Sequence, residues 1–132
     1  MTVAAHRRPP PADQRLNAGP PLVEDEDFGF RMANLYPRRT GLPMTIWAGP
    51  RGGARHDVRI KVCMTPGDVM HWDQLATIAV RPQPQLLYGE LSARDFARVA
   101  EWIKLNEAAL LDHWNGLLDG ADFAEAVRPL KP

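Results

Sequence analysis

Residues 44–62 read MTIWAGPRGGARHDVRIKV, and the alternation within this stretch decides the fold. Met44, Ile46 and Ala48 alternate with Thr45 and Trp47, the period of two that marks a strand. Gly49-Pro50-Arg51-Gly52-Gly53 follows, with glycines open to positive φ and a proline that fixes its own φ. Such a linker is longer than the tightest hairpin turn, so a bulged or wider loop is expected. Beyond it His56, Val58, Ile60 and Val62 fall on one face, and Arg55, Asp57, Arg59 and Lys61 on the other. A one-residue slip would carry the cations inward, so the register is well specified. Two readings of the polar face follow. Arg55, Arg59 and Lys61, with Arg51 at the turn, form a basic stripe for a phosphate backbone or an acidic protein; or the face is simply solvated, with Asp57 pairing its neighbours.

Working outward, the charge is uneven along the chain. Residues 28–61 carry seven Lys or Arg against one Asp, while residues 62–132 carry six against ten acids. The total over 132 residues is zero, so no global attraction to nucleic acid or membrane follows. Arg38 and Arg39 add to the basic half and are expected to line the same surface as the hairpin.

On the N-terminal side, residues 1–27 hold five prolines and the acidic run Glu24-Asp25-Glu26-Asp27. With little apolar periodicity to offset ordering entropy, this tail is expected to be disordered. Residues 28–132 then form a single domain. Phe28, Phe30, Met32, Leu35 and Tyr36 are too apolar to stay in water, yet Pro37, Gly41 and Pro43 argue against a long regular element there.

On the C-terminal side, residues 76–81 read as a third strand and residues 85–91 as a fourth that Gly89 weakens. Ser92 opens a helix, with Asp95 where the reciprocal partner of a capping box belongs. Phe96, Val99, Ala100, Ile103, Leu110, Trp114 and Leu117 keep helical spacing, with Asn106 as the weak point where a bend is expected. Trp102 and Trp114 are offset by more than a face width, so one is expected in the core and the other partly exposed. Residues 121–127 suggest a short second helix. The expected fold is α+β, with a small antiparallel sheet of three to four strands packed against one long C-terminal helix.

The residues that might carry chemistry are few. There is no nucleotide-type Gly-rich loop, no Gly-x-Ser-x-Gly and no Cys-x-x-Cys, so no cofactor is expected. Cys63 stands alone, which excludes an intrachain disulfide and fits a reducing cytoplasm. No run of about 18 apolar residues is present to span a membrane. The first fifteen residues have no apolar stretch of the secretory kind, and a cytoplasmic protein is expected. His56, His71 and His113 are the candidates for chemistry, with Asp73 and Asp112 beside the last two. Nothing in their spacing demands a metal, because neighbours on a helix point about 100° apart.

Two motifs carry a resemblance. The helix WIKLNEAALLDHW, residues 102–114, resembles that of small uncharacterised bacterial proteins sharing a W-I-x-x-N-x-x-x-L-x-x-x-W ending. GGARHDVRIKV, residues 52–62, resembles the strand that precedes it in such proteins. They are similar to a larger group of small domains of unknown function, encoded on plasmids or beside toxin–antitoxin-like genes. That group carries a His-rich strand motif. Here His56 stands at such a place, with Arg59 and Lys61 where further polar residues occur. The resemblance implies no established activity.

Three functions are consistent with these features. The first is a non-enzymatic module that binds a protein or nucleic acid through a basic surface of Arg38, Arg39, Arg51, Arg55, Arg59 and Lys61. The second is a small metal- or His-dependent enzyme using His56, His71 or His113. The third is a mobile-element protein that inhibits a host defence system. Homodimerisation through a sheet edge or an unburied tryptophan is compatible with each.

Overall fold

The computed structural model describes residues 15–19, 33–69, 71 and 73–131. The polyproline stretch, the acidic run Glu24–Asp27 and the aromatic residues Phe28 and Phe30 lie outside the described residues. Among those described, the order is β1 (Arg15–Asn17), β2 (Ala33–Leu35), α1 (Pro37–Thr40), β3 (Met44–Ala48), β4 (Arg59–Pro66) and β5 (Leu75–Ala79). Then come β6 (Gln85–Tyr88), β7 (Glu90–Ser92), α2 (Ala93–Leu105), α3 (Glu107–Trp114) and α4 (Gly120–Ala126).

The architecture is α+β, with a larger sheet than expected. Strands β2 to β6 form a five-stranded antiparallel meander in chain order. The pairing sets side chains in rows across the strands. On one face run Leu35–Ile46–Val62–Ala76 and Ala33–Ala48–Ile60–Ile78–Leu86. These rows pack with Val99, Trp102 and Ile103 of α2, Leu110 and Trp114 of α3, and Phe123 of α4. Val58, Ile60, Val62, Ile78 and Val80 therefore meet the helices as the alternation required.

The hairpin differs in its boundaries. The loop runs over residues 49–58, so Arg55, His56 and Asp57 lie outside the strand, and β4 continues to Pro66. The fourth strand divides at Gly89, where φ is +87° and a Cβ would come within 2.7 Å of the Ala76 Cα. Only glycine fits that close approach. Past the kink, β7 leaves the main sheet and pairs instead with β1. That pairing corrects the expectation of a wholly disordered tail. Arg15–Asn17 is a strand, held by backbone bonds and by Arg15 Nε on Glu90 at 3.1 Å.

Ser92 caps α2 as expected, its hydroxyl accepting from the Asp95 N–H at 3.0 Å. The single long helix is two helices. Asn106 (φ −113°, ψ 20°) separates α2 from α3. Its buried amide donates to the carbonyls of Trp102 and Arg128, both at 3.0 Å, and accepts from the Arg128 N–H at 2.7 Å. The break re-aims α3, so the helical offset between the two tryptophans no longer applies. Both Trp102 and Trp114 are buried.

Asn106→Ala removes a buried amide and strips two backbone groups of Arg128 of their partner. It is expected to lower stability by about 1–3 kcal/mol, read as a shifted urea midpoint.

Candidate basic cleft and the fate of the hairpin stripe

The opposite face of the sheet is not solvated at its centre. One row across it reads Asn34–Trp47–Lys61–Thr77–Tyr88. Trp47, Cys63 and Leu75 form a second buried cluster there, with Val69 packed against it. Lys61 is only 2% exposed, and its ammonium donates to the Thr77 hydroxyl at 2.8 Å. Lys61 therefore does not belong to a basic surface. Its aliphatic stem lies in the row directly opposite Trp47, where lysine stems pack readily on apolar surface. Arg59, the first residue of β4, is half-buried and already engaged.

The four exposed arginines of the expected basic surface fall into two groups. Arg51 and Arg55 stand on the loop after β3, where the Arg51 N–H is anchored on the Trp114 carbonyl at 2.8 Å. Arg38 and Arg39 stand on α1, just before β3. A five-residue strand, about 17 Å long at normal rise, lies between the groups. They form two patches, not one continuous stripe.

The patch on α1 adjoins a cleft. Pro37 begins this single turn of helix and Gly41, at φ 78°, ends it. A Cβ at Gly41 would collide with the Leu130 carbonyl oxygen, so glycine lets the C-terminal segment dock there, with the Leu130 N–H on the Thr40 carbonyl at 2.7 Å. Between α1 and that segment lies a cleft of about 380 Å³ lined by Arg38, Arg39, Ala124, Glu125, Val127 and Pro129. Arg39 Nη1 donates to the Ala124 carbonyl at 3.0 Å, and the Arg38 guanidinium sits 5.5 Å from the centre of the Tyr36 ring. Among the described residues neither arginine has a carboxylate within ion-pair distance.

The three candidate histidines stand in different settings. His113 is buried, its Nδ1 donating to the Leu118 carbonyl at 2.8 Å and its ring stacked on Phe123 at 4.6 Å. It ties α3 to the turn before α4. His56 is a loop residue with its ring 5.6 Å from that of Trp114, and His71 is exposed. No group of three or more His, Cys, Asp or Glu among the described residues is placed to hold a metal. Cys63 is free and buried. No helix among the described residues is long and apolar enough to cross a membrane.

Asp57 pairs with Arg81, just past the end of β5, through oxygens at 2.8 and 2.9 Å from its Nε and Nη2. This bidentate hydrogen bond holds the Asp57 carboxyl below its ordinary 3.8. A depressed folded-state value means stability present above the unfolded value and lost as pH falls through the folded one.

The cleft's second wall carried no local signal in the sequence. Arg38 and Arg39 are visible as a basic pair, but Ala124, Glu125, Val127 and Pro129 join them only through the docking of Leu130. No family model matches this chain, nor does any curated protein or solved structure.

Two outcomes are expected. Thr77→Val deprives the buried Lys61 ammonium of its hydroxyl acceptor and lowers stability by about 1–3 kcal/mol, measured by chemical denaturation. Asp57→Asn lowers the thermal midpoint slightly at neutral pH, and its difference from wild type closes as the pH falls below 3.8.

Proposed function

We propose that this protein is a non-enzymatic binding module that takes an anionic group of a partner macromolecule in the cleft beside Arg38 and Arg39. The observation that carries the reading is a pair of exposed guanidinium groups on one concave surface with no carboxylate partner among the described residues. Each guanidinium offers a planar fork of donors suited to a carboxylate or phosphate. Arg39 is also braced by the Ala124 carbonyl, so little side-chain freedom is lost on binding. Arg51 and Arg55 form a second cationic patch that steers an acidic partner from the far end of β3.

The reading is tested by retention on a heparin column. Wild type is expected to be retained at low salt, and the Arg38→Glu/Arg39→Glu double variant to lose at least about tenfold in affinity, the scale of a lost charge-assisted contact. Arg51→Glu/Arg55→Glu is expected to change mainly the salt dependence. Failure of wild type to bind, or a double variant with unchanged retention and an unchanged melting point, overturns it.

A further inference from the structure

We infer that the occupant of the cleft is an acidic peptide segment, with one carboxylate side chain between Arg38 and Arg39 and an aliphatic neighbour against Val127 and Pro129. This inference rests on the cleft being an anion site. Three features of the cleft select a peptide over a nucleic acid.

The first is charge. Glu125 shares the cleft with the two arginines, so the site carries a carboxylate of its own. A nucleic-acid backbone repeats its negative charge at every nucleotide and gains affinity by neutralising many phosphates; Glu125 lowers that gain without reversing it. A peptide brings one carboxylate flanked by backbone N–H donors, which Glu125 accepts. The second is surface chemistry. Ala124, Val127 and Pro129 give the wall apolar atoms, but no aromatic side chain lines it. Single-stranded nucleic acids are held on stacking platforms, and the nearby Tyr36 ring already has the Arg38 guanidinium against it. The third is size. A volume of about 380 Å³ lies at the lower end of ligand-pocket sizes and holds one or two side chains.

Fluorescence anisotropy on the full chain tests this with three labelled probes. They are a nonapeptide of Gly-Glu-Leu repeats, the same peptide with Ser for Leu, and a dodecamer of deoxythymidine. The Leu peptide is expected to bind tightest, with the Ser peptide weaker by about fivefold or more, as loss of a buried aliphatic contact requires. The oligonucleotide is expected to bind no better than the Ser peptide. Arg38→Glu/Arg39→Glu should weaken the Leu peptide at least about tenfold, while Arg51→Glu/Arg55→Glu changes it by less than about twofold at moderate salt. Arg38→Gln, which leaves the Arg39–Ala124 contact in place, should weaken it by an intermediate factor. Tightest binding by the oligonucleotide, lost in Arg38→Glu/Arg39→Glu, would keep the cleft as an anion site and overturn the peptide assignment. Equal binding of the two peptides overturns it as well. Binding of none of the probes overturns the peptide assignment, and with heparin also failing to bind it overturns both readings.

Discussion

The buried side-chain amide of Asn106 sits where α2, α3 and the C-terminal segment meet, and it ties the end of α2 to Arg128. Its donor joins the Asn106 backbone N–H on the Trp102 carbonyl, and reaches the Arg128 carbonyl as well. Its oxygen returns a bond to the Arg128 N–H. A buried amide with these partners satisfied fixes a single geometry, because the alternatives leave polar groups dry and unpaired. With Arg128 pinned, Leu130 docks on Thr40, and Arg98 reaches the carbonyls of Gly41 and Lys131 at 3.4 and 3.3 Å. The cleft is a product of this closure.

The central strand β4 shows how a sheet buried on both faces accommodates a polar alternation. Ile60 and Val62 go to the helices, and Lys61 goes to the other side without reaching water. A buried ammonium is tolerated because it is hydrogen-bonded, and its hydrocarbon stem runs in the same row as Trp47. Removing Lys61 from the surface leaves the expected basic stripe as two separate patches. The patch on α1 is concave and the one on the β3–β4 loop is an open tip, and this difference in shape assigns recognition to the first and steering to the second.

Isolated arginines on a surface say little about function, since exposed charges are well solvated and weakly paired. What sets Arg38 and Arg39 apart is their surroundings. One is braced by a backbone carbonyl, the other lies by a tyrosine ring, and both face apolar atoms across a cleft. Arg81, by contrast, is taken up by Asp57 in a bidentate pair.

The sequence by itself determined the local features, because each depends on neighbours within a few residues. Period-two alternation placed Val58, Ile60 and Val62 against the helices, Ser92 announced the start of α2, Gly89 marked a weak point in the fourth strand, and Asn106 marked the bend in the helix. Only the tertiary structure decided which faces were covered and which distant pieces met. Lys61 reads as exposed because alternation reports the side a residue points to and not whether that side is wet. Arg15–Asn17 reads as tail because the strand it pairs with, β7, lies some 75 positions away. The cleft joins residues 38–39 to residues 124–129, a separation across which no local pattern of side chains carries information.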